Sequence, residues 1–210
     1  MGLFGDNVSK VWQTIPLPGA QLRWIPHWLD QAEADALFAD LLESIAWETH
    51  RIRIFGREVD SPRLSCWIGD ADASYTYSRT RFEPHPWSAT LASLRSRVEV
   101  ACGARFNSVL ANLYRSGQDS MGWHSDNEPE LGPQPVIASL SLGAERRFRL
   151  RLRTSGSGRR DAFGIDLPHG SLLCMAGETQ RLYQHDLPRA GASAGARINL
   201  TFRWIHPRGA

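Results

Sequence analysis

Lysine is almost missing from this chain: Lys10 stands alone, and arginine supplies the rest of the positive charge. The net charge of +2 and a pI near 8.6 do not by themselves argue for a nucleic-acid partner. Cysteine is scarce as well. Cys66, Cys102 and Cys174 are odd in number and form no CxxC, which excludes a disulfide framework or a zinc knuckle and leaves three small apolar residues for an interior. No apolar run approaches the roughly 18 to 20 residues that a bilayer span requires, so no membrane partner is expected. The opening MGLFGDNVSKVWQTIPLPGA lacks the basic-then-apolar order of a secretory signal, and the expected location is cytoplasmic.

What is present fits one soluble domain. At 210 residues, with 42% hydrophobic and 22% charged residues, the chain supports a single core and excludes disorder or a repeat array. A monomer is expected. Asp30 can cap a helix with Glu33 as its capping-box partner, followed by Leu37, Phe38, Leu41, Leu42 and Ile45 at helical spacing. A second helix reads from Ser88 through Leu91, Leu94, Val98 and Cys102 to Gly103, with Pro84 and Pro86 blocking an earlier start. From Phe106 onward the period becomes two, and FNSVLANLY, PVIASLSL, RFRLRLR, AFGIDL, GSLLCMAG and ARINLTFRWI all read as strands. SGSGRR reads as a hairpin tip. The expected fold is α+β, with helices in residues 1–105 and a β-sandwich or barrel core over 106–205.

MGWHSDNEPEL puts His124 and Asp126 two positions apart. On a strand they share a face, and they could supply two of the three ligands of a two-histidine, one-carboxylate iron site. Taken alone, such a pair is more often a pair of surface residues than a metal site. His185 in LYQHDLP is placed to be the third ligand, with His169 and His206 as rivals by residue type. In ARINLTFRWI, the residues Arg197, Asn199, Thr201 and Arg203 share one face, while Ile198, Leu200, Phe202 and Trp204 form a core face. Two guanidiniums and an amide in a row suit a dicarboxylate. Asn112 and Tyr114 offer a matching face just ahead of His124.

NLYRSGQDSMGWHSDNEPELG, PVIASLSLGAERRFRLR, HGSLLCMAGETQRLYQHDLPR and RINLTFR together resemble the nucleic-acid dealkylating branch of the AlkB family of Fe(II)/2-oxoglutarate-dependent dioxygenases. The resemblance runs from Phe106 to Trp204, and PRLSCWIGDADASYTYS extends it upstream. It implies a double-stranded β-helix (jelly-roll) core behind N-terminal helices and a nucleotide-recognition lid. It also implies Fe(II) on His124, Asp126 and His185, the catalytic centre. By the same resemblance Arg197 and Arg203 would bind the carboxylates of 2-oxoglutarate, and Asn112, Tyr114 and Asn199 would complete the pocket. With O2, such an enzyme oxidises an N-methyl group on a base in alkylated DNA, or RNA, releasing formaldehyde and succinate.

The resemblance further places Tyr75 and Tyr77 of SYTYS at a flipped base, with Trp67 in the same region. Glu128 corresponds to a carboxylate bordering the base pocket and would favour cationic lesions of the 1-methyladenine and 3-methylcytosine type. Asn127 stands where related proteins often carry aspartate, and Ile68 where several carry tyrosine; both bear on lesion preference. RFRLRLR alternates Phe148, Leu150 and Leu152 with Arg147, Arg149, Arg151 and Arg153, so one face should enter the core and the other should suit phosphates. The same chemistry on RNA, or on protein or a small molecule, is the rival expectation.

Overall fold

In the computed structural model, which describes residues 10–54, 57–73, 75–77, 80–153 and 161–206, both helices begin where their caps require. Asp30 Oδ1 accepts the Glu33 backbone N–H at 2.8 Å and opens α1 (Gln31–Ser44). Ser88 Oγ accepts from the Leu91 N–H at 3.2 Å and opens α2 (Ala89–Cys102). That helix ends on Gly103 at φ 66, a left-handed turn that glycine adopts without a Cβ clash.

Strands β1 (Gln13–Ile15) and β2 (Ala20–Ile25) precede α1, and five short strands separate the helices. They are β3 (Arg51–Ile54), β4 (Arg57–Asp60), β5 (Leu64–Gly69), β6 (Tyr75–Tyr77) and β7 (Thr80–Phe82). After α2 come β8 (Ser108–Tyr114), β9 (Met121–His124), β10 (Ile137–Gly143), β11 (Arg146–Leu152) and β12 (Phe163–Leu167). The chain continues through β13 (Ser171–Gly177), the single-turn α3 (Thr179–Leu182), β14 (Tyr183–Leu187) and β15 (Arg197–Arg203). Strands pair antiparallel into a major sheet, β1-β2-β13-β10-β15-β8-β5, and a minor sheet, β12-β11-β14-β9. β3–β4 and β6–β7 are separate hairpins. The result is the expected α+β fold with a jelly-roll core.

Alternation along each major-sheet strand divides the interior in two. Outward-facing Val109, Ala111, Leu113, Ile198, Leu200 and Phe202 pack under Leu41, Leu91, Leu94 and Val98 of the helices. Leu22, Ile137, Leu173 and Met175 face inward against Leu150, Ile165, Leu167 and Tyr183 of the minor sheet. On β8 and β15 the inward positions other than Leu110 are polar instead, so that half of the interlayer space is a pocket rather than a core. Phe202 is fully buried, with its ring 6.0 Å from that of Phe106. Phe202→Ala should lower the unfolding free energy by about 3 to 5 kcal/mol in urea titration; a loss below about 1 kcal/mol would contradict this packing.

The structure departs from the sequence reading in several places. β1, β2 and β5 join the major sheet, so the core begins well upstream of Phe106. Their signal is obscured because β2 carries polar residues under cover: the Arg23 guanidinium lies 4.8 Å from the Trp12 ring centroid. Leu42 is 40% exposed, and Trp204, expected in the core, lies one residue past the end of β15 and is 37% exposed. The three cysteines are buried and free, as expected. SGSGRR lies outside the described residues.

Candidate metal centre and cosubstrate pocket

β9 ends at His124 and pairs with β14 so that His124 faces His185 across the two strands, their rings 4.2 Å apart between centroids. His185 therefore sits in the middle of β14. Asp126 lies two residues past the end of β9, so strand alternation does not bring it to His124. Two long-range bonds do. The Asp126 N–H donates to Gln180 Oε1 of α3 at 3.0 Å, and its Oδ2 accepts from Arg203 Nη2 of β15 at 2.9 Å. Gln180 is itself buried, with its amide nitrogen on Met175 Sδ.

Among the described residues, His124, Asp126 and His185 form a cluster whose ligand atoms all lie within 4.8 Å of one another. The His124 Nδ1–H donates to the Gly122 carbonyl at 2.9 Å, a bond that leaves the Nε2 lone pair available, 3.8 Å from Asp126 Oδ1. Burial, together with the neighbouring His124, pushes the His185 pKa down to about 3, which keeps the imidazole neutral and able to ligate. Burial would raise the Asp126 pKa, but the Arg203 guanidinium against its Oδ2 outweighs it and holds the carboxyl well below the usual range. A charged oxygen, two imidazole nitrogens and one open side suit a divalent transition ion.

Beside this cluster the inward face of β15 carries Arg197, Asn199, Thr201 and Arg203, in register with Tyr114, Asn112, Leu110 and Ser108 of β8. Arg197 Nη2 donates to Ser141 Oγ at 2.8 Å, and its guanidinium lies 5.4 Å from the Tyr114 ring centroid. Its Nε is buried without a hydrogen-bond partner, and burial pushes its pKa down to about 10. A buried guanidinium with a donor to spare calls for an anion, and a dicarboxylate reaching from Arg197 to the metal ligands meets that need. Asn199 Nδ2 is held by Ser139 Oγ at 2.8 Å.

Three supporting residues escaped the sequence reading. Arg63 Nε donates to Asn112 Oδ1 at 2.9 Å. Arg146 is buried and donates to the carbonyls of Asp119 and Pro188 at 2.9 and 2.7 Å, which joins the loop before β9 to the loop after β14. These loops touch at Gly117, where a Cβ would come within 2.0 Å of the Gly191 carbonyl oxygen. Arg146 was detectable, because it stands in phase with Phe148 and Leu150 and not with the outward arginines. Gln180 had no local signal.

Other expectations fare differently. Tyr75 and Tyr77 lie on β6, opposite Phe82 and Thr80, and share a strand face; their side chains lie outside the described residues. Trp67 is buried with Ala73, Leu131 and Ile205, its Nε1–H donates to the Ala73 carbonyl at 2.9 Å, and it stands opposite the pocket-lining Leu110 of β8. Ile68 is 3% exposed on the face toward the helices, where it cannot touch a base. His169 accepts the Gly143 N–H and reaches Asp35, and His206 lies in a separate groove beside Trp204, so neither rivals His185. Asn127, its amide turned to suit its neighbours, accepts from Arg153 Nη1 at 3.1 Å. The arginine strand is less free than its alternation implies: Arg147 pairs with Asp166 and Arg149 with Asp186.

Two histidines and a carboxylate, opening onto an arginine-floored pocket between jelly-roll sheets, define the class of Fe(II)- and 2-oxoglutarate-dependent oxygenases. A family model described as the 2OG-Fe(II) oxygenase superfamily matches residues 21–203. Human alpha-ketoglutarate-dependent dioxygenase alkB homolog 3 is 42% identical over 188 residues, covering 87% of this chain and 65% of that protein. DNA oxidative demethylase ALKBH2 of Mus musculus is 36% identical over 213 residues, covering 98% of this chain and 89% of that protein. The OsALKBH1 structure superposes with a TM-score of 0.63 at 17% identity over 92% of this chain and 100% of that one, a likeness of fold. The chain belongs to the AlkB family, whose cofactors are Fe(II), 2-oxoglutarate and O2. It spans 65% of the length of the bovine and human alkB homolog 3 proteins.

Proposed function

We propose that this chain is an oxidative demethylase that repairs N-alkylated bases of the 1-methyladenine and 3-methylcytosine type in DNA by direct reversal. His124, Asp126 and His185 hold the metal, and Arg197 and Arg203 hold the two carboxylates of 2-oxoglutarate. Asn112, Tyr114 and Asn199 shape the pocket around it. Bound Fe(II) with 2-oxoglutarate and O2 supplies the oxidation of the methyl group, and the hydroxymethylated base then releases formaldehyde. The chain's own work is to place that methyl carbon beside the metal and keep water out.

Glu128 carries the lesion assignment. Two residues past Asp126, it keeps one carboxylate oxygen buried without a hydrogen-bond partner. A buried carboxylate oxygen with no hydrogen bond is costly unless a cation or donor meets it, and these methylated bases bring a positive charge to their pairing edge. Tyr75 and Tyr77 on the β6–β7 hairpin are the stacking candidates, and Asn127 is a further contact. A monomer in the cytoplasm is the accompanying expectation, checked by sedimentation and cell fractionation; among the described residues no helix is long and apolar enough to cross a membrane.

The test incubates the anaerobically Fe(II)-loaded protein with 2-oxoglutarate, O2 and methylated DNA or RNA oligonucleotides, then follows methyl mass and formaldehyde. Loss of the methyl mass from DNA is the expected result. Loss from RNA alone would move the substrate, and 2-oxoglutarate turnover with both oligonucleotides intact would point to a protein or small-molecule hydroxylase.

A further inference from the structure

The alternating arginines of β11 do not stand on an open positive face. Arg149 Nε and Nη2 grip the two carboxylate oxygens of Asp186 at 2.9 and 2.5 Å, and that carboxylate is only 5% exposed. Arg151 places Nε and Nη2 on Gln184 Oε1 at 3.2 and 3.0 Å. Both guanidiniums also lie over the Trp123 ring, 5.1 and 4.1 Å from its centroid. Asp186 and Gln184 flank His185 on β14, and Trp123 precedes His124 on β9.

These contacts form a row across three strands. On the opposite face of the same strands lies a second row, in which Leu150 of β11 stands opposite His185, and His185 opposite His124. A strand residue is oriented by whatever holds its two neighbours, because those side chains leave the other face of the pleat. The β9–β14 ladder needs such help, since its register shifts between His185 and Leu187.

From this placement we propose that Arg149 and Arg151 are positioning residues for the iron ligands rather than phosphate contacts. Arg149 ties β14 to β11 on one side of His185, Arg151 ties it on the other, and together they clamp Trp123 and so the end of β9. The proposal rests on the iron site named above. The fork geometry matters more than the charge, because only a guanidinium can span both carboxylate oxygens while stacking on the indole.

The experiment uses the full chain and two readouts. Fe(II) binding is measured by anaerobic equilibrium dialysis with the metal alone, and binding of a methylated DNA oligonucleotide is measured as a function of salt. Arg149→Met and Arg149→Lys should both weaken Fe(II) binding by about tenfold to a hundredfold, the range seen when an outer partner of a metal ligand is lost. The salt slope should match that of the unaltered protein. A phosphate contact behaves oppositely: Arg149→Met would lower the slope by about 0.7 to 0.9, Arg149→Lys would retain it, and Fe(II) binding would not change. That outcome, or Fe(II) affinity within about twofold of the original in both variants, overturns the proposal. Should the Arg149 variants not fold, Trp123→Leu keeps every arginine and its polar partner; weakened Fe(II) binding supports the clamp and unchanged binding refutes it. His124→Ala separates the two levels, since undiminished Fe(II) binding there removes the iron-site reading and the clamp with it.

Discussion

Asp126→Asn is expected to leave a folded protein with no measurable turnover and an Fe(II) affinity more than about a hundredfold weaker, since even partners outside the ligand set contribute up to that factor. The amide keeps the shape of the carboxylate and can still accept from Arg203 Nη2, which lies 2.9 Å from Oδ2. It removes the only negative charge of the ligand set, leaving a divalent ion to face two neutral imidazoles and the Arg203 guanidinium. Repulsion between that guanidinium and the metal is no longer offset. Metal content after anaerobic loading, with formaldehyde release, is the measurement; retention of either near the original level would refute the ligand assignment.

Arg197→Met should separate cosubstrate binding from metal binding. Truncating one partner of a buried charge pair costs about 2 to 5 kcal/mol. The dissociation constant for 2-oxoglutarate should therefore rise by about thirtyfold to a few thousandfold, with Fe(II) affinity in its absence nearly unchanged. A second consequence runs the other way. Arg197 is 2% exposed, its Nε unpartnered and its pKa pushed down by burial, so the fold carries a desolvated charge. Replacing it with an apolar side chain of similar length should raise the melting temperature of the ligand-free protein. Equal 2-oxoglutarate affinity, or a lower melting temperature, would show that Arg197 is structural and not the floor of an anion site.

Much of this site was legible because side-chain direction along a strand is a local property. Alternation in RINLTFR and SVLANLY assigned Arg197, Asn199, Arg203, Asn112 and Tyr114 to one face before any partner strand was known, and the structure brings those faces together in register. Helix caps at Asp30 and Ser88 were legible for the same reason, since a capping side chain reaches only three residues ahead. Trp67 was less legible, because an aromatic in a lid-like segment fits both a base contact and a packed wedge. The structure buries it, with its indole N–H on the Ala73 carbonyl.

The sequence by itself determined which residue types face which way within each strand, because that depends on a two-residue period and nothing beyond it. Only the tertiary structure decided which of those faces meet. His124 and His185 are brought opposite by a bulged ladder between segments 61 positions apart. Asp126 reaches them after leaving its strand, held by Gln180 from 54 positions away. The arginines of β11, alike in sequence, divide into a buried loop clasp at Arg146 and a clamp behind the metal ligands at Arg149 and Arg151, because ion pairing and burial depend on neighbours that local spacing does not contain.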